Sequence, residues 1–123
     1  MANIIITSNS EFFNTGVDIF TFYDKTNKSF EFFEEDECPK NNNSFIMTPS
    51  TYEVEYYAHK IFDEILTDEE REIVDSYPYR KGFFRYLRET GIYETYRVAQ
   101  ERAAVFVAKK WAEENNLVID WNI

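Results

Sequence analysis

Residues 81–115 read KGFFRYLRETGIYETYRVAQERAAVFVAKKWAEEN, and the parsing of this stretch decides the fold. Its apolar spacing predicts a short helix, a stop at Gly91, and a long helix with the inward stripe Tyr96, Ala99, Ala103, Phe106 or Val107, and Trp111. Gly91 falls where a chain leaving a helix turns left-handed. Glycine adopts that conformation without steric penalty, and the last helical carbonyls then find donors. Two helices joined by one glycine make a helical hairpin. Such a stretch specifies a fold and names no reaction.

On the N-terminal side, Thr67 with Glu70 has the spacing of a capping box. Asp68, Glu69 and Glu70 then occupy the first turn of a short helix that ends near Asp75, with Tyr77-Pro78 closing it. Ser50 with Glu53 repeats the pattern after Pro49 and starts a helix to about Leu66. Its apolar stripe is Val54, Tyr57 or Ala58, Ile61 and Ile65, and Glu55, Lys60, Asp63 and Glu64 lie outside.

Before residue 49 the period changes from helical to alternating. Val17–Tyr23 and Lys28–Phe33 each alternate and flank Asp24-Lys25-Thr26-Asn27, which predicts an antiparallel hairpin with Asp24 at the first turn position and Asn27 left-handed. Ser44 to Thr48 reads as a third strand across the polar loop from Glu34 to Asn43. Asn3 to Thr7 is a candidate short strand, followed by a polar stretch through Asn14 and Gly16, and Leu117-Val118-Ile119 is a candidate final strand before Trp121. The expected class is α+β: a small antiparallel hairpin or three-stranded sheet followed by four helices, the last two forming a hairpin. The 123 residues are expected to make a single domain, 1–123.

This pattern resembles the bacterial group known as uncharacterised protein family 0158 over residues 17–118. That family has a tyrosine-aspartate hairpin, a glycine-aromatic-arginine-aromatic segment, and two tryptophans ahead of a Glu-Glu-Asn ending. The turn Asp24-Lys25-Thr26-Asn27-Lys28 carries the likeness at the hairpin, and Gly82, Phe84, Arg85 and Tyr86 fit the segment. Trp111 fits the second tryptophan, while Tyr96 stands in place of the first and Asn27 in place of a turn glycine. The resemblance implies a fold and brings no activity with it.

Charge divides the chain. Residues 1–79 carry 17 acids and 5 bases, whereas residues 80–123 carry 6 acids and 8 bases. A formal net charge of −10 works against non-specific nucleic-acid binding, because like charges repel the phosphates. The single Cys38 has no internal disulfide partner and points to a reducing, cytoplasmic setting. No apolar run is long enough to span a bilayer, and Ile4-Ile5-Ile6 lacks the charged start and long apolar segment of a signal peptide, so no membrane association is expected.

Chemistry-bearing constellations are few. Glu55, His59 and Asp63 share a helix face, but the outer two stand about 12 Å apart along the axis, so a common metal shell is not expected and solvated ion pairs are. Acids at 34–37 precede Cys38 and disfavour its thiolate, and the same run lacks the alternating ligands and glycine of a calcium loop. There is no phosphate-cradling glycine loop, serine elbow or paired-cysteine motif. Neither an enzyme nor a cofactor is expected.

Three readings of function follow. The first is an acidic interaction domain that binds a basic protein partner, with Glu55 and Asp63 as contact residues. The second is nucleic-acid or nucleotide binding on Lys81, Arg85 and Arg88, whose four-and-three spacing aligns them on one helix face, with Phe83, Tyr86 and Tyr93 as stacking rings. The third is a phage-type acidic mimic of nucleic acid built on Glu53, Glu55, Asp63, Glu64, Glu69 and Glu72. The first is preferred.

Overall fold

The computed structural model describes residues 4–6, 12–15, 17–40, 42–77 and 81–122. In chain order the elements are β1 (Ile4–Ile6), β2 (Ile19–Asp24), β3 (Ser29–Glu34), a single 3₁₀ turn (Glu35–Glu37), β4 (Phe45–Met47), α1 (Thr51–Ile65), α2 (Asp68–Asp75), α3 (Phe83–Thr90), α4 (Tyr93–Glu114) and β5 (Ile119–Trp121). The class is α+β. The chain divides into two compact units, residues 1–54 with 104–123, and residues 55–103.

The first unit holds both sheets. β2 lies between β3 and β4 in an antiparallel sheet, with Asp24 opposite Ser29 and Ile19 opposite Glu34. As expected from sequence, the Asp24 carboxylate organises the turn. It accepts the backbone N–H of Thr26 (2.9 Å) and Asn27 (3.2 Å) and the Asn27 side-chain amide (2.7 Å). The left-handed residue, however, is Lys28 (φ 55°) and not Asn27. The loop spans four residues, and its last member must reverse the backbone to re-enter the ladder. Asn27 instead uses its side chain on Asp24.

β1 and β5 pair in parallel, Ile4 with Ile119 and Ile6 with Trp121. The last strand starts two residues later than the sequence reading has it, because α4 ends in a left-handed Asn116 (φ 57°). The Leu117 N–H returns to the Ala112 carbonyl and the Asn116 N–H to the Glu113 carbonyl, so the residues before β5 belong to the helix stop.

The stretch before Asn14 is a correction. It reads as polar, yet Phe12 and Phe13 are core residues. They are pinned by Asn14, whose backbone N–H donates to the Pro49 carbonyl (2.8 Å) and whose carbonyl accepts from Thr51 (2.9 Å). Phe12 stands edge-on to Trp111 at 5.3 Å and to Phe30 at 5.7 Å. Trp111 also meets Tyr23 edge-on at 6.3 Å and donates its indole N–H to the Met47 carbonyl at 2.9 Å. Of the two alternatives at the stripe's fourth position, Val107 is buried and Phe106 is 48% exposed. Ser50 caps α1 through its hydroxyl, which accepts the Tyr52 N–H at 3.0 Å, but the Glu53 carboxylate lies 3.5 Å from Lys110 Nζ, so the expected capping box is not reciprocal.

The second unit is helical. Its core is Phe62, Leu66, Val74, Phe83, Leu87, Ile92, Tyr96 and Ala99. On α1 the buried residues are Ala58 and Phe62, while Ile61 and Ile65 are half-buried, so the stripe is turned by about one residue from the one read in sequence. Thr67 and Glu70 form the full reciprocal capping box of α2. Gly91 is left-handed (φ 79°), with its N–H on the Arg88 carbonyl and the Ile92 N–H on the Leu87 carbonyl. Ile92 and Leu87 are both buried, so the helix stop also carries its usual apolar contact. Tyr96 packs edge-on against Phe62 at 5.2 Å and Phe84 at 5.1 Å. Pro78 of the expected closing turn lies outside the described residues.

The unfolding stability of four variants checks these assignments. Trp111→Ala is expected to cost about 3–5 kcal/mol in denaturant titration, because it removes a buried indole and its ring contacts together. Phe106→Ala is expected to cost far less. Lys28→Gly is expected to stabilise by up to about 1 kcal/mol, since glycine relieves the left-handed penalty. Asn27→Gly should instead destabilise, by removing the side-chain bond to Asp24.

Candidate functional site

The basic candidates lie at and on α3, and the structure separates them. Lys81 precedes the helix, and Gly82 in between is left-handed (φ 86°). The straight helical spacing assumed for Lys81, Arg85 and Arg88 therefore breaks, and only the two arginines share α3. A side chain at Gly82 would strain this backbone and bring a Cβ within 2.9 Å of the Tyr77 hydroxyl, which donates to the Lys81 carbonyl at 2.8 Å.

Both arginines are already engaged. The Arg85 Nε stands 3.1 Å from Glu89, although the two side chains are 83% and 61% exposed, so the pair contributes little stability. The Arg88 guanidinium lies over the Tyr93 ring at 4.6 Å. The stacking rings are similarly committed. Phe83 is buried, and Tyr86 stacks on Tyr77 with ring centroids 4.6 Å apart and donates its hydroxyl to the Ile73 carbonyl. Arg97 is bracketed by Glu94 at 2.9 Å and Glu101 at 3.6 Å, and Lys110 by Glu53 and Glu114, each at 3.5 Å.

The acidic candidates on α1 are differently placed. Glu55 and Asp63 are exposed, and neither forms an ion pair among the described residues, contrary to the ion pairs expected around His59. The Asp63 carbonyl accepts a hydrogen bond from the Arg71 guanidinium, which leaves its carboxylate in solvent. His59 sits edge-on to Tyr96 at 5.7 Å, so its ring belongs to the packing of the helical unit.

A third feature joins residues that are distant in sequence. Because Ile19 pairs with Glu34, the end of β3 meets the start of β2, and Asp18, Ile19, Glu34, Glu35, Asp36 and Lys40 line an open cleft of about 670 Å³. One oxygen each from Glu34, Asp36 and Glu37 lies within 4.8 Å of the others, all on exposed side chains. Cys38 closes the segment with its thiol directed to the Glu34 carbonyl at 3.3 Å. The acidic run was visible in sequence. The contribution of Asp18 was not, because only strand register brings it there. Solvated carboxylates around one ammonium favour a cationic side chain over an anion.

Two carboxylates in the molecule are tuned by structure. Burial pushes the Asp24 carboxyl up, but the backbone and side-chain donors of Asn27 and the Thr26 N–H outweigh it and hold Asp24 below the usual carboxylate range. Glu70 is held low first by the Thr67 N–H at 3.0 Å and then, against desolvation, by the Thr95 hydroxyl at 3.0 Å and the Thr67 side chain. Both serve the fold, one a hairpin turn and the other a helix start. Burial, and then the Asp24 charge, raises the neighbouring Tyr23 phenol.

Among the described residues no helix is long and apolar enough to cross a membrane. Comparison of the chain with protein-family models, curated proteins and solved structures finds no match in any of the three.

A lowered folded-state pKa gives stability that is complete above the unfolded value and is lost as pH falls through the folded one. For Glu70 the loss begins near the ordinary glutamate value, about 4.3, and continues below it. Glu70→Gln is therefore expected to lower stability at neutral pH and to flatten its decline between about pH 5 and pH 3, as read by urea titrations at successive pH values. An unchanged acid slope would show that the Thr67 and Thr95 donors do not hold the ionised form.

Proposed function

We propose that this chain is a non-catalytic acidic domain that binds a basic protein partner. The observation that carries the reading is the distribution of ion pairs. Four of the five ion pairs among the described residues join bases of the last third to acids of the same third. Three of the seven described bases of that third, Arg85, Arg97 and Lys110, are thus paired with acids close by in sequence, and Arg88 lies over the Tyr93 ring. Of the acids in residues 1–79, Glu53 is the one found in an ion pair among the described residues. Asp24 and Glu70 are held by the hairpin turn and the capping box, and most of the other described acids of that segment are exposed and available to an external partner.

Carboxylates arranged in this way attract a cationic surface over a Debye length of about 8 Å at physiological salt and speed its encounter. Glu55 and Asp63 on α1 represent this field, and the open cleft at Glu34–Asp36 adds to it. The second reading, nucleic-acid binding at α3, is less favoured because Arg85 and Arg88 already have partners and Phe83 is buried. Kinship with uncharacterised protein family 0158 is part of the same proposal, as a likeness of fold. A cytoplasmic location also belongs to it, on the strength of the lone Cys38.

Affinity capture from native cell extract, with and without nuclease, identifies the partner class. The expected product is a nuclease-resistant basic protein. Its association rate should fall steeply with salt, and Glu55→Lys with Asp63→Lys should slow association severalfold without unfolding the domain. Arg85→Glu with Arg88→Glu should change it much less. The opposite ordering, or recovery of nucleic acid lost to nuclease, would move the function to α3.

A further inference from the structure

The strand order β3-β2-β4 makes β3 and β4 the edges of the antiparallel sheet, and on β4 the Met47 carbonyl accepts the Trp111 indole N–H while the Phe45 N–H donates to the Asn42 carbonyl. The Thr21 carbonyl accepts the Thr48 N–H at 3.2 Å and the Lys25 N–H donates to the Ser44 carbonyl at 2.8 Å, so the odd-numbered residues of β2 direct their backbone groups toward β4. Successive residues of a strand alternate in this direction. Phe20, Phe22 and Asp24 therefore bond β3 through their partners Phe33, Glu31 and Ser29. It follows that Phe30, Phe32 and Glu34 direct their N–H and C=O groups away from the sheet. Among the described residues no other strand pairs with β3, and no hydrogen bond involves the outward backbone groups of Phe30 or Phe32.

Open edges are usually blunted by proline, lysine, a bulge or a covering element. β3 contains neither proline nor lysine and pairs with β2 over all six residues without a bulge. Its Phe32 is 54% exposed. What it carries instead is negative charge: Glu31 and Glu34 within the strand, Glu35 to Glu37 directly after it, and the cleft shared with Asp18 at its end. Like charge discourages a second copy of β3 from pairing there, whereas a cationic strand is drawn in.

We infer that the open edge of β3 is a strand-addition site for an extended basic segment of a partner protein. This inference rests on the proposed function and names the surface that performs it. The segment adds antiparallel to β3, its backbone bonding Phe30, Phe32 and the Glu34 N–H, since the Glu34 carbonyl already accepts from the Cys38 thiol. Its apolar side chains cover Phe32, and lysines or arginines on its opposite face meet Glu31. Its N-terminal end lies at the acidic end of β3, where a further lysine or arginine enters the cleft between Asp18, Glu34 and Asp36. Main-chain bonds supply affinity in this mode, and the alternating side chains supply selectivity.

The test uses a capped octapeptide alternating lysine and valine, the same peptide with every backbone amide N-methylated, and the full-length chain. In the free protein the Phe30 and Phe32 amides should exchange rapidly with deuterated solvent. Saturating peptide should slow both by at least about tenfold, consistent with several new backbone bonds. The methylated peptide, with the same charge and no donors, should give no protection. Phe32→Pro removes an N–H that β2 does not use, so the sheet should survive while peptide binding is lost. Glu34→Lys with Asp36→Lys provides a second variant that leaves the backbone intact and should weaken binding at low salt by about tenfold or more.

Absence of binding at millimolar peptide, equal binding of the methylated peptide, or binding without protection of Phe30 and Phe32 would each overturn the inference. Slow exchange of both amides in a free protein that sediments as a dimer would assign the edge to a second copy, and would overturn it too. If the captured basic protein still binds in a manner sensitive to Glu55 and Asp63 while β3 is unaffected, only the strand-addition site is lost. If no salt-dependent basic partner exists, the proposed function is lost as well.

Discussion

The sheet unit depends on one side chain, Trp111. Its indole fixes the last turns of α4 by three contacts of different kinds. Phe12 and Tyr23 each present a ring edge to it, and the indole N–H is satisfied by the Met47 carbonyl at the end of β4. The hydrogen bond matters for direction as much as for energy, because a buried N–H without a partner is costly and this one has a single acceptor in place. β2, β4, the Phe12 segment and the helix are thus referred to one point. The heavy use of aromatic residues makes physical sense here, since a small unit gains a large buried area from few side chains.

In the helical unit the equivalent constraint is backbone, not side chain. Gly91 and the capping box at Thr67 determine where one helix stops and another starts, and in each case orphan backbone groups find partners locally. Leu87, Ile92 and Tyr96 then pack around the stop. Glu70 connects this local capping to packing, because its second oxygen accepts the Thr95 hydroxyl from the first turn of α4.

The proposed function draws on what these constraints leave unsatisfied. On α3 and α4, Arg85, Arg97 and Lys110 pair with acids of their own helices at the i+3 and i+4 spacings where such side chains are neighbours. The acids of the first 79 residues have few bases near them in sequence, and most of those described are exposed. Among the described residues, no strand or hydrogen bond occupies the outward backbone groups of Phe30 and Phe32 on β3. Unspent charge and an unspent strand edge on the same short segment are the two properties from which a binding role is argued.

Much of this was legible in the residues themselves. Gly91, the Thr67–Glu70 cap, the Asp24 turn and the alternation of β2 and β3 are local features, where the cause and the structure lie within a few positions of each other. The charge division is likewise a property of composition. Other features were decided only by the tertiary structure, because they depend on neighbours far away in sequence. Phe12 and Phe13 sit in a polar stretch and become core only when Asn14 bridges Pro49 and Thr51. Lys28 takes the left-handed position that Asn27 suits by chemistry, because ladder register and the Asp24 carboxylate assign Asn27 another task. Lys81 leaves the arginine face because Gly82 breaks the helix before it begins. Asp18 joins Glu34 in a cleft through strand pairing alone. Sequence period specifies which face of an element is apolar, but which edges and charges remain uncovered depends on how distant elements pair, and that pairing is a property of the folded chain.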